Sequence, residues 1–154
     1  MVSMKTPARG FTLPELMTVL VIMAVLGAMA APAYGDWVAS SRARSAGTDL
    51  HMALNLARSE AIKRNAEVTL AANEDGWQAG WQIAAPGDAD RLLHDHPALA
   101  GVSIDGPDSV TYLPSGRIRG STLPAFDIAA ASGDERRCVK ADLSGRPNLT
   151  HSRC

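Results

Sequence analysis

The residue types that could do chemistry are few in this chain, and most are poorly placed for it. His94-Asp95-His96 sets two imidazoles at alternate positions beside a carboxylate, a pattern that could begin a metal site. It lies in an acidic stretch between Pro86 and Pro97, where solvated loop residues account for it better, and no metal is expected. Ser115 and Ser144 each precede Gly-Arg in turns, not at the strand-turn-helix elbow that exposes a hydrolase nucleophile. A glycine-rich phosphate loop is missing from the sequence. The expectation is a protein that is not an enzyme and needs no cofactor. Three features then ask for an explanation: Glu15 at the edge of an apolar run, the pair Cys138 and Cys154, and a late set of arginines.

Glu15 stands where a carboxylate is costly. The run from Leu16 to Ala33 contains one polar residue, Thr18, and no charge. As a helix it would rise about 27 Å, near the thickness of a bilayer core. A charged side chain at mid-bilayer costs roughly 2.5–3.5 kcal/mol on insertion scales and less near the interface, so an acid kept here suggests a partner cation. A cleaved secretory signal would fit the small residues at Ala28-Met29-Ala30, and a plain anchor would fit the length. Neither accounts for Gly10-Phe11 or for Glu15. Lys5 and Arg9 precede the span, which places the N-terminus in the cytoplasm and the rest of the chain in the periplasm.

Gly10, Phe11-Thr12-Leu13, Glu15 and the apolar helix after them resemble the class III signal of type IV pilins and of the pseudopilins of type II secretion. The resemblance implies cleavage between Gly10 and Phe11 by a prepilin peptidase on the cytoplasmic side, with N-methylation of Phe11. It implies that Glu15 pairs with the Phe11 amine of a neighbouring subunit, a buried ion pair that sets register more than stability. It also gives Pro32 the role of the helix-kinking proline. Pro14 falls in the first turn of the mature helix, where its missing N–H costs little.

Removing a ten-residue leader and a membrane helix leaves about 120 residues, enough for one domain with a modest core. The formal charge is −1 in total, but residues 65–111 carry eight acids and one base, whereas residues 112–154 carry seven bases and four acids. One end of the domain is expected to be acidic and the other basic. Cys138 and Cys154 are an even pair in a compartment that oxidises thiols, and a disulfide is the default. Closing such a loop is worth about 3 kcal/mol in the chain-entropy model. A metal site would need more ligands than His151 and two thiols.

Beyond the span, Ala39, Ala43, Ala46, Leu50, Ala53, Leu54, Ala57 and Ala61 recur at steps of three and four, an amphipathic continuation of the helix to about residue 64. Arg58 and Glu60 are read as solvated, and Asn65 as able to take a left-handed cap. Short apolar runs at 67–72, 77–84, 102–104, 110–113, 123–129 and 137–143, punctuated by Gly, Pro and Asp, read as strands, and 85–101 as a variable loop. Trp77 and Trp81, four apart in an extended strand, should share a face. The fold class is α+β: a long N-terminal helix, half membrane and half amphipathic, packed on an antiparallel β-sheet domain. The parts are a leader 1–10, a transmembrane and filament-core helix 11–34, an amphipathic helix 35–64 and a periplasmic β-rich domain 65–154.

Residues 56–65, the Val68-x-Leu70 strand, Gly76-Trp77 with Gly80-Trp81, and the turns Ser115-Gly116-Arg117 and Ser144-Gly145-Arg146 resemble the GspH/FimT group of minor pilins and pseudopilins. That resemblance implies a structural tip or priming subunit of a type IV pilus or a type II secretion pseudopilus. Its partners would be prepilin peptidase, the inner membrane and other minor pilins or pseudopilins. It would cross the inner membrane once and then enter a filament near its tip. Some members of the group that serve natural transformation bind DNA through a late GRxR motif. Here Gly116-Arg117-Ile118-Arg119 has the string but lies mid-domain, and Gly145-Arg146-Pro147-Asn148 lacks the second arginine. The alternative function is therefore a receptor for double-stranded DNA built from Arg117, Arg119, Arg146 and Arg153. The plainer reading of the Ser-Gly-Arg strings is tight turns with solvated arginines, or arginines paired with Asp142.

Overall fold

The computed structural model describes residues 11–154; Gly10 and the rest of the expected leader lie outside them. One helix, α1 (Leu13–Arg64), is followed by eight strands: β1 (Val68–Asn73), β2 (Gly76–Ala85), β3 (Asp88–His96), β4 (Val102–Asp105), β5 (Ser109–Tyr112), β6 (Ala125–Ala130), β7 (Arg136–Ala141) and β8 (Pro147–Thr150). The chain divides into two compact units between Gly35 and Asp36.

In the first unit the helix starts with Pro14 and Glu15 in its opening turn, where orphan N–H groups and the helix dipole favour an acid. Residues 11–28 are exposed throughout. They include Leu16, Leu20, Val21, Met23 and Leu26, and α1 is long and apolar enough to cross a membrane. Pro32 lies within α1.

In the second unit the alanine-leucine stripe turns inward, and all eight of its residues from Ala39 to Ala61 are buried. Small side chains on this face leave room for rings opposite them. Trp77, Trp81, Tyr112 and Phe126 fill that room, with Trp77 edge-on to Phe126 at 4.9 Å and 6.2 Å from Trp81. The helix ends in a Schellman motif. Asn65 takes φ 51°, its N–H donates to Ile62 O, and Ala66 N–H donates to Ala61 O, with Lys63 and Arg64 in the last turn.

All strand pairs are antiparallel, and the strands divide into two four-stranded sheets ordered β3-β2-β1-β5 and β4-β6-β7-β8. The chain switches sheet three times: between β3 and β4, at Gly106-Pro107 between β4 and β5, and between β5 and β6. Residues 88–96, expected within a loop, form edge strand β3, paired with β2 through two register shifts. Its acids hid it, because a charged strand is what a solvent-facing sheet edge tolerates. Strand β8 was not expected either. It opens with Pro147, a residue confined in sheets to edges and first positions, and β8 is both.

Candidate functional site

Three places in the described residues collect the singled-out side chains. At the start of α1, Phe11 is exposed, and Glu15 Oε2 accepts a long hydrogen bond of 3.5 Å from Thr12 N. The carboxylate thus caps its own helix and stays accessible to a further donor. At the C-terminus, Cys138 on β7 is bonded to Cys154, with Cα atoms 5.1 Å apart. The disulfide ties the segment after β8 back to the sheet, beside Asp127, whose Oδ2 lies 3.3 Å from Arg153 and 3.4 Å from Arg136.

The third place is formed by the two Ser-Gly-Arg turns. One follows β5 and is closed by Gly116 N–H to Leu113 O and Leu113 N–H to Arg117 O. The other links β7 to β8 and is closed by Gly145 N–H to Asp142 O. Asp142 Oδ1 accepts from Ser144 Oγ at 2.6 Å and from Arg146 N at 2.9 Å, and these donors, the serine first, hold its carboxyl below the usual carboxylate range. The turns touch backbone to backbone: a Cβ on Gly145, which has φ +82°, would overlap the carbonyl oxygen of Gly116. Arg58 reaches up from α1 and donates to both, from Nε to Gly116 O at 3.1 Å and from an Nη to Ser144 O at 3.4 Å. Beneath them Tyr112 is fully buried. Its hydroxyl has no partner among the described residues, and burial pushes its pKa up to about 12.

This corrects the reading of Arg58 as a solvated helix residue. It is half-buried and acts as a clamp, because a guanidinium fork on the helix face nearest the turns is the available donor for their carbonyls. Glu60, read the same way, is mostly covered and pairs with Arg64 and Lys63; the Arg64 hydrogen bond chiefly lowers its pKa. The arginines proposed for DNA do not form one free set. Arg119 is ion-paired with Glu67 and Arg153 with Asp127. Arg117 and Arg146 are exposed on the abutting turns, with no carboxylate in salt-bridge range among the described residues.

The histidines of β3 are used in packing. His96 stacks on buried Trp81 at a centroid distance of 4.0 Å and an interplanar angle of 16°, and its Nε2 is 3.6 Å from Asp49 on α1. Among the described residues no three His, Cys, Asp or Glu side chains group as metal ligands. A cavity of about 590 Å³ lies between β5 and the 118–125 segment, lined by Asp105, Asp127, Arg119 and Leu123 among others. Asp127 there is already shared by two arginines.

Residues 46–145 match the family model of the type II transport protein GspH. The chain belongs to the GspH family. Residues 5–31 match the prokaryotic N-terminal methylation motif. Over 40 residues the GspH-family chain is 52% identical to the type IV major fimbrial protein FimA of Dichelobacter nodosus, a match covering 26% of this chain and 25% of that one. It thus spans about a quarter of the length of the curated relatives it matches. Among solved structures, the type IV minor pilin FimU of Pseudomonas aeruginosa superposes with a TM-score of 0.62 at 24% identity, over 70% of this chain and 87% of that one. The minor pseudopilin EpsH from the type 2 secretion system of Vibrio cholerae gives 0.56 at 17% identity, over 71% and 97%. At these identities the likeness to FimU and EpsH is one of fold.

The sequence missed the Arg58 clamp and the role of Asp142 as the cap of its turn. Each had a signal. The two Ser-Gly-Arg strings needed a common donor, and Asp142 stands two residues before Ser144, the spacing of a side-chain-capped turn.

Proposed function

We propose that this chain is a minor pilin or pseudopilin: a structural subunit, not an enzyme, placed near the tip of a periplasmic filament where it primes assembly. The observation that carries this is the junction of a methylation-type N-terminus with an α1 whose apolar run is exposed from residue 16 to 28. Such a surface demands lipid first and neighbouring helices later. In this reading prepilin peptidase cuts between Gly10 and Phe11 and Phe11 is N-methylated. The chain then spans the inner membrane once, with residues 36–154 in the periplasm. The disulfide supports that placement, since disulfides persist in oxidising compartments. Glu15, held by one long hydrogen bond, receives the Phe11 amine of the next subunit. The test is Glu15→Ala. The variant should be cleaved normally yet enter filaments at least tenfold less than wild type. Wild-type incorporation of that variant would remove the ion-pair step.

A further inference from the structure

We propose that the outer edge of β5 takes up, by strand addition, an extended segment of a different protein that carries a lysine or arginine. This edge plays no part in cleavage, membrane insertion or the Glu15 pairing.

β5 ends its sheet, and its register decides which backbone groups stay unpaired. Asp108 O accepts from Ala72 N–H, so the alternate residues Val110 and Tyr112 bond inward to β1. Ser109 and Thr111 therefore turn their N–H and C=O groups outward. Thr111 O accepts from Arg119 N at 2.9 Å. Ser109 N–H, Ser109 O and Thr111 N–H have no backbone partner among the described residues. Both residues border the cavity of about 590 Å³, whose facing wall is 120–125. Residues 120–123 of that wall make no backbone hydrogen bond among the described residues, so a strand entering there breaks none. Unpaired main-chain groups along a sheet edge are a template for an added strand, which supplies the missing donors and acceptors.

The same cavity sets the charge of the guest. Asp105 on β4 and Asp127 on β6 are direct partners across that pair, and both border the cavity. Like charges directly opposite one another are unfavourable. Asp127 Oδ2 is shared by Arg136 and Arg153, but its buried Oδ1 has no hydrogen-bond partner among the described residues. Asp105 is exposed and, among the described residues, in no ion pair. A lysine or arginine on an incoming strand meets Asp105 and offsets that repulsion. Ile118 and exposed Leu123, also on the cavity wall, receive its apolar neighbours.

A second copy of this chain is a poor donor of such a strand. The sheet edges are β3, β4, β5 and β8. β3 sets Asp88 and Asp95 against one arginine, β8 opens with Pro147, and β4 and β5 hold no cation. Cys154 is tied down by the disulfide. The guest is therefore a flexible segment of another polypeptide that becomes ordered on binding.

The test gives the edge a tethered guest, because Cys154 borders the same cavity. The full chain, in detergent, is extended after Cys154 by a Gly-Ser linker and the strand Thr-Val-Lys-Val-Thr. A short flexible tether holds such a guest at about millimolar effective concentration. Amide exchange read by NMR at Ser109 and Thr111 should slow at least tenfold relative to a chain carrying the linker alone. Exchange in the β2–β3 pair should not change. Replacing the guest lysine with glutamate, or Asp105→Asn in the host, should each cut that protection at least threefold. A guest with proline in place of both valines loses main-chain donors and should protect nothing. Disulfide formation, read as a mobility shift on reduction, checks that each variant has folded. Unchanged exchange at Ser109 and Thr111, or equal protection by the proline guest, would overturn the strand addition. Equal protection by the glutamate guest would overturn the choice of a cation. Slowing in the unextended chain that grows with protein concentration would assign the edge to a second copy, against the proposal.

Discussion

Replacing Arg58 with alanine tests whether one helix residue sets the geometry of both turns. The change removes hydrogen bonds to Gly116 O at 3.1 Å and to Ser144 O at 3.4 Å. A hydrogen bond from a charged donor contributes roughly 1.5–3 kcal/mol, and the lower end applies here because Arg58 is only half-buried and the second contact is long. Gly116 is buried, so its carbonyl would lose its partner without gaining full access to water. The expected loss is about 2 kcal/mol. With a urea slope of about 2 kcal/mol per molar, the unfolding midpoint should fall by roughly 1 M. Fluorescence of buried Trp77 and Trp81 reports the transition in the full chain in detergent. Amide exchange at Gly116 and Gly145, whose N–H groups close the turns, should accelerate more than exchange in β2. Arg58→Lys keeps the charge but reaches one carbonyl at a time and should recover about half of the loss. A midpoint for Arg58→Ala within about 0.5 kcal/mol of wild type would refute the clamp, since ordinary surface substitutions fall in that range.

Further expectations concern the same domain. Removing the disulfide with Cys138→Ser/Cys154→Ser should cost about 3 kcal/mol and speed exchange in β8 while leaving exchange in the β1–β2 pair unchanged; an unaltered midpoint would contradict it. Asp142 is held ionised by Ser144 Oγ and Arg146 N, so its folded pKa lies below its unfolded one, and its contribution is complete above about pH 4 and lost as pH falls through the lowered value. Asp142→Asn should flatten the acid limb of stability below about pH 4 relative to wild type, measured as urea midpoints, and an unchanged acid limb would count against the cap. Tyr112 has the opposite sign. With its folded pKa raised to about 12, stability should fall as pH rises from about 10 to 12, and Tyr112→Phe should abolish that fall. Because its hydroxyl is buried without a partner among the described residues, Tyr112→Phe should also be neutral or stabilising by up to about 1 kcal/mol at pH 7, and a clear loss would mean a bound water or donor at that oxygen.

Much of this architecture was legible from periodicity. The stripe from Ala39 to Ala61 is the buried face because steps of three and four leave no other side of a helix to bury. The left-handed Asn65, the shared face of Trp77 and Trp81, and six of the eight strands follow from local rules of the same kind. What was not legible depends on which elements meet. Pairing of β4 with β6 and of β1 with β5, which divides the strands into two sheets, leaves no local trace, since every strand alternates in the same way. β3 and β8 escaped because edge strands may carry the acids and the proline that elsewhere signal loops. Arg58 was misread because nothing within a helix says that two distant turns will present carbonyls to it.

The late arginines differ in what they touch despite similar sequence context. Arg117 and Arg146 project from the turns that Arg58 holds, whereas Arg119 lies against Glu67 and Arg153 is drawn to Asp127 next to the disulfide. A pooled count of late arginines therefore overstates the free positive charge of the domain. Glu74, Asp75, Asp105 and Asp108 keep theirs, so the domain is more polar along its strands than the net charge of −1 suggests.

Mass spectrometry of the N-terminus in the sheared filament fraction decides whether this chain is a processed filament subunit. The chain should be present there and begin at Phe11 bearing a single N-methyl group. A chain that keeps residues 1–10, or a cleaved chain found only in the membrane fraction, would contradict it.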